Sequence, residues 1–85
     1  MTLQNDRGHV FNVKWAYAPT EMGHLMACMT GDTRPLAEFC SDVEGVRTWT
    51  RRDEKEGDAV YEGYVSLLNV RKDGTDTIIT LCRDD

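Results

Sequence analysis

The sequence predicts an α+β fold: a single small domain of order ββαβββ, a mostly antiparallel sheet of about five strands with one helix packed on one face. Three observations carry that expectation. Phe11, Val13, Trp15 and Tyr17 recur at every second residue, the period of a strand. Leu36, Phe39, Cys40 and Val43 recur at helical spacing, on one stripe. Residues 58–82 read as one long hairpin that turns at Lys72-Asp73-Gly74. The chain of 85 residues has room for one core, so residues 1–85 form one domain.

Taken in order, residues 9–18 form the first strong strand, ended by Pro19, with a polar turn at 20–23. A shorter strand at 24–30 pairs back on it, because sequential strands usually neighbour each other. The segment before Gly8 either adds a few paired residues or frays. Gly31-Asp32-Thr33 breaks the strand and offers a helix N-cap, and Pro35 suits a first helical turn. Gly45 stops the helix. Its extension to Arg51 is disfavoured because residues 46–52 are rich in strand-forming Val, Thr and Trp. Residues 53–58 are a charged loop, followed by strands at 59–71 and 75–82 and a charged tail at 83–85.

Stacking these strands yields two apolar sets. Phe11, Val13, Trp15, Tyr17, Leu25, Met29, Val65, Leu67, Ile79 and Leu81 fall on the face assigned to the helix. Val10, Met26, Cys28, Val60, Tyr64, Leu68, Val70, Ile78 and Cys82 fall on the other, diluted by Lys14, Glu62, Ser66 and Thr80. One helix cannot cover both, and a solvated face normally reads polar. The second set therefore predicts an interaction surface. The alternative is a bulge near Gly63 or at Leu67-Leu68, which would move half of the long strand across and merge the two sets.

The net charge of −5 argues against direct nucleic-acid contact and against anionic membranes. Apolar runs are too short to span a bilayer, and no signal peptide opens the sequence, so a cytoplasmic location is expected. Three cysteines, an odd number, read as free thiols of a reducing compartment.

Candidate chemistry is sparse, and no enzyme is expected. Among His9, His24, Ser41, Ser66 and the cysteines, no spacing imposes a nucleophile–base pair. His24, Cys28, Cys40 and Cys82 have metal-ligand chemistry but lack the close pairs of zinc sites, so no metal or cofactor is expected. The segment 29–34 carries one glycine and an aspartate, which suits helix capping better than a phosphate cradle.

The most informative short run is residues 47–52, where Arg47, Trp49 and Arg51 would share one strand face with the guanidinium groups stacked on the indole. Trp, Tyr and Arg are enriched at binding hot spots. The expected function is thus a non-enzymatic protein-binding module, a homodimer or a small acidic inhibitor of a larger protein. Its surface would draw on Met26, Tyr64, Leu68 and Ile78, on Trp49 with Arg47 and Arg51, and on the acidic side chains Asp53, Glu54, Glu56 and Asp58. Those carboxylates could occupy a basic groove in place of phosphates. Size, acidity and element order are compatible with the small inhibitors encoded by phages and mobile elements, anti-CRISPR proteins included, by analogy alone. The alternative is a small-molecule binder, with Trp15, Tyr17, Tyr61 and Tyr64 lining an aromatic pocket between helix and sheet or between two copies.

Overall fold

The computed structural model describes residues 1–19, 21 and 23–84. The elements are β1 (Thr2–Asn5), β2 (Val10–Tyr17), β3 (His24–Thr30), α1 (Leu36–Val43), β4 (Thr48–Arg52), β5 (Ala59–Glu62), β6 (Tyr64–Asp73) and β7 (Asp76–Arg83). The α+β class holds, with one helix and an antiparallel sheet among the described residues, but that sheet has seven strands in place of about five. One added strand is the segment before Gly8, which pairs on both sides, with β2 and with β4. The other arises because the long strand expected at 59–71 breaks at Gly63. The expected turn at 20–23 includes Thr20 and Met22, and the charged tail includes Asp85. Those three residues lie outside the described ones.

The strand order is β5-β4-β1-β2-β3-β7-β6. Its two ends, β5 and β6, are joined in the chain by Gly63 alone, so the sheet must roll until its edges meet. Gly63 is held from both sides. Its N–H donates to the Arg47 carbonyl at 2.7 Å, ahead of β4, and its carbonyl accepts from the Asp84 N–H at 2.8 Å, past β7. Its φ of +87° is one that glycine adopts freely. A Cβ there would stand 3.1 Å from the Arg83 side chain.

Rolling changes the accounting of faces. The concave side is closed by the sheet itself, and α1 fills in alongside β6. Leu3, Phe11, Val13, Leu25, Met29, Trp49, Tyr64, Ile79 and Leu81 form the interior with Phe39, Val43 and Val46. Phe39 meets Phe11 edge-on at 5.8 Å, and Trp49 lies 5.8 Å from the same ring.

Three register shifts decide which residues reach that interior. In β2, pairing steps from Val13↔Met29 to Trp15↔Cys28. Phe11, Val13 and Ala16 are therefore buried, whereas Trp15 is half-buried and Tyr17 is 48% exposed. In β6 the register shifts between Tyr64 and Ser66 and again between Leu67 and Asn69. Tyr64, Leu67 and Val70 thereby join the interior cluster. Register shifts thus lie at both places named for the alternative reading, near Gly63 and at Leu67-Leu68, and they remove Tyr64 and Val70 from the second face. The bulge in β2 was not expected, and it sends Trp15 and Tyr17 the opposite way.

The helix N-terminus differs from expectation as well, whereas the stop at Gly45 is as expected. Its N-cap is Pro35 and no side chain caps it. Asp32 accepts from the Arg34 backbone N–H at 3.0 Å, forming its own turn. At the C-terminus, Glu44 N–H bonds the Cys40 carbonyl and Gly45 follows at φ +73°. The last carbonyls are taken by β1 and its turn: Asn5 Nδ2 donates to Asp42 O at 2.9 Å, Arg7 Nη1 to Ser41 O at 2.9 Å, and Arg7 Nη2 to Glu44 O. A cation at this end also complements the helix dipole.

Candidate interaction surface

The convex side of β2, β3 and β7 carries the most coherent exposed chemistry. Directly paired residues share a face, so register places Trp15 beside Cys28 and Ile78, and Tyr17 beside Met26 and Thr80. The Trp15 and Tyr17 rings lie 5.7 Å apart, tilted by 42°, and Tyr17 Oη lies 3.6 Å from Met26 Sδ. Lys14 bounds the patch by bonding Asp76 at 2.7 Å, which holds the Asp76 carboxyl below the usual carboxylate range. Of the residues expected on this face, Met26 and Ile78 are there, half-buried, and Leu68 is 58% exposed at its bulge. Tyr64 is not. It is 1% exposed inside the fold, with the Arg83 guanidinium over its ring at 5.2 Å.

The run 47–52 is divided by the sheet. Trp49 is wholly buried and no partner reaches its Nε1. Arg47 is exposed and precedes β4, while the Arg51 side chain turns inward and is 14% exposed. The expected stacking of arginine on the indole is absent among the described residues. Arg34 stacks on Phe11 and Phe39 instead. Trp49 is therefore a core residue. Its strand neighbours Asn5 and Tyr61 also face inward, a constraint set by strand order that the local sequence does not contain.

The acidic loop is largely self-compensated. Arg51 lies 3.6 Å from Glu56, and Arg52 lies 3.4 Å from Asp58. Asp53 accepts from the Lys55 and Glu56 backbone N–H groups at 2.8 and 3.4 Å, and the Lys55 bond chiefly lowers its pKa. With Lys55 counted, Asp53, Glu54, Glu56 and Asp58 face three cations. The field left for a basic groove is small.

The remaining constellations hold structure together. Arg34 bridges Asp32, at 2.7 Å, and Asp42, tying the β3–α1 loop to the helix. These hydrogen bonds hold the Asp32 carboxyl below its ordinary range and push the guanidinium pKa up. A cleft of about 390 Å³ opens beside this junction, lined by His9, Asn12, Thr30, Thr33, Arg34 and Asp42. The four aromatics of the expected pocket do not converge. Trp15 and Tyr17 face outward, Tyr64 faces inward, and Tyr61 Oη donates to the Ala16 carbonyl at 3.3 Å.

Among the cysteines, Cys28 is 3% exposed and burial pushes its thiol pKa up, which keeps it protonated and unreactive at neutral pH. His24 pairs with Cys82 across β3 and β7, but no group of three His, Cys, Asp or Glu among the described residues could hold a metal.

Trp15 and Tyr17 are the surface residues that sequence reasoning misplaced. Residues 15–17 (Trp-Ala-Tyr) read equally well in either phase; only the small Ala16 between two aromatics hints at which side is tightly packed. Comparison with protein-family models, curated proteins and solved structures yields no match to this chain.

Proposed function

We propose that this chain is a non-enzymatic protein-binding module that acts through the outer face of β2, β3 and β7. The observation that carries the reading is the Trp15–Tyr17–Met26 cluster, an aromatic and thioether group held on paired strands with half of Tyr17 in solvent. Such residues supply large contact area at small entropic cost, and strands fix them in place before a partner arrives. Free thiols at Cys28, Cys40 and Cys82 support a reducing, cytoplasmic place of work. Inhibition of a larger protein, the mode used by small phage-encoded inhibitors, is the form of this activity that size and acidity favour.

The test is capture with purified wild-type protein and Tyr17→Asp as paired baits, each checked for folding by circular dichroism. Loss of the captured protein from a folded Tyr17→Asp bait supports the reading. Equal retention by both baits overturns it. Salt dependence separates this face from the acidic loop, because contacts made through the loop weaken steeply as salt is added.

A further inference from the structure

We infer that the cleft at the Arg34 junction is a binding site for a small organic cation, an amine with a short apolar body, held by Asp42. The cleft shares no residue with the Trp15–Tyr17–Met26 cluster, so the site does not depend on the reading of the outer face.

The cleft forms where three segments meet: the start of β2 with the turn before it, the β3–α1 loop, and the last turn of α1. Its volume of about 390 Å³ falls within the range of small-molecule sites. Val10, 59% exposed, and Phe11 supply an apolar wall. Arg34 lies over the Phe11 and Phe39 rings, 5.9 Å from each centroid, and holds both neighbouring carboxylates. The polar side of the cleft is therefore ordered before a ligand arrives.

The two carboxylates are engaged unequally. Asp32 turns both oxygens to Arg34: Oδ1 accepts from the backbone N–H and from Nε, and Oδ2 accepts from Nη2 at 2.7 Å. Asp42 commits only Oδ2 to that guanidinium. Among the described residues no donor bonds Asp42 Oδ1, and His9 Nδ1 stands 3.9 Å away, beyond hydrogen-bond reach. The Asp42 side chain is 23% exposed, so its free oxygen is partly desolvated, where a charge-assisted bond is stronger than in water.

Charge selects the class of ligand. With His9 uncharged, two carboxylates face one guanidinium across the cleft, and the whole chain carries −5. Both fields oppose an anion and favour an ammonium group. The cleft beside the 53–58 loop contrasts with this one, because Arg52 and Lys55 stand among its carboxylates and Arg52 pairs with Asp58. At the Arg34 junction an ammonium group can bond Asp42 Oδ1 while its apolar body rests on Val10 and Phe11.

Three probes of similar shape and different charge test this: phenethylamine, phenethyl alcohol and phenylacetate. Each is titrated into the whole chain at about pH 8 and fixed ionic strength, with backbone amide NMR shifts as the readout. The amine should bind with a Kd of about 1–10 mM, as expected for so few atoms in an open cleft, and should shift the His9, Asn12 and Arg34 amides. The alcohol should bind at least about fivefold more weakly, and phenylacetate more weakly still. Asp42→Asn, which keeps an oxygen for Arg34, should weaken the amine at least about fivefold. Glu62→Gln removes the same charge at an exposed position of β5 and should bind the amine like wild type. An amine that shifts nothing up to about 50 mM, or shifts centred on the 53–58 loop, overturns the inference. So does an alcohol or acid that binds as tightly as the amine, a folded Asp42→Asn with wild-type affinity, or a Glu62→Gln as impaired as Asp42→Asn. The probe series uses the unaltered chain, so it decides the matter even where Asp42→Asn does not fold. Capture through the outer face, tested with Tyr17→Asp, stands or falls separately.

Discussion

The two sides of the rolled sheet are built from the same strands and both carry large apolar residues, yet the fates of those residues diverge. Inside, Leu3, Leu25, Trp49, Ile79 and Leu81 are completely buried; outside, Val10, Val60 and Leu68 are each close to 60% exposed. Curvature decides between them, because a rolled sheet closes on one side only, and three register shifts select which side chains point there. An apolar residue on the convex side gains little from folding and is free to serve a contact.

The sharpest way to break this comparison is to empty the inside. Trp49→Ala should destabilise the fold by about 3–5 kcal/mol, enough to unfold much of a domain this small. Urea denaturation monitored by circular dichroism reads the loss, and a change below about 1 kcal/mol would place the indole at the periphery.

Arg34→Ala should cost about 2 kcal/mol, because it strips two carboxylates and two aromatic rings of one shared partner. A loss of under about 0.5 kcal/mol would show that the helix stays seated without this bridge.

Gly63→Ala should cost about 1–2 kcal/mol from the positive φ and the crowding of Arg83, whereas Gly57→Ala, at a similar φ in open space, should cost less. Equal effects at the two glycines would mean that closure of the sheet is not constrained at Gly63.

Acid should act through the same elements. Asp32 and Asp76 have folded pKa values below their unfolded ones, so their stabilisation is present above about pH 4. It is lost as pH falls through the folded values. Thermal melts from pH 6 to pH 2 should show that decline, and Arg34→Ala should flatten part of it.

The smallest effect is expected outside. Leu68→Asp should shift stability by no more than about 0.5 kcal/mol, since the side chain is 58% exposed. A larger loss would mean that the convex side contributes to the fold of the single chain.

Much of the element plan was legible. The helix at Leu36–Val43, the pairing of β2 with β3 and the β6–β7 hairpin all follow from periodicity and turn residues. β1 was only half legible, since its four residues become a central strand by pairing on both sides, which no local pattern records. The candidate surface was read in part. Met26 and Ile78 were placed on the outer face and are found there, Tyr64 was placed there and is buried, and Trp15 and Tyr17 were placed inside and are out.

What the sequence alone determined is local: where strands and helix run, where the chain turns, and that there is more apolar surface than one helix can cover. What only the tertiary structure decided is which of those residues share a side. Side chains alternate with a period of two, so one bulge exchanges the faces of everything beyond it. No local pattern fixes the bulge at Lys14, and the roll that brings Gly63 between Arg47 and Asp84 joins segments distant in the chain.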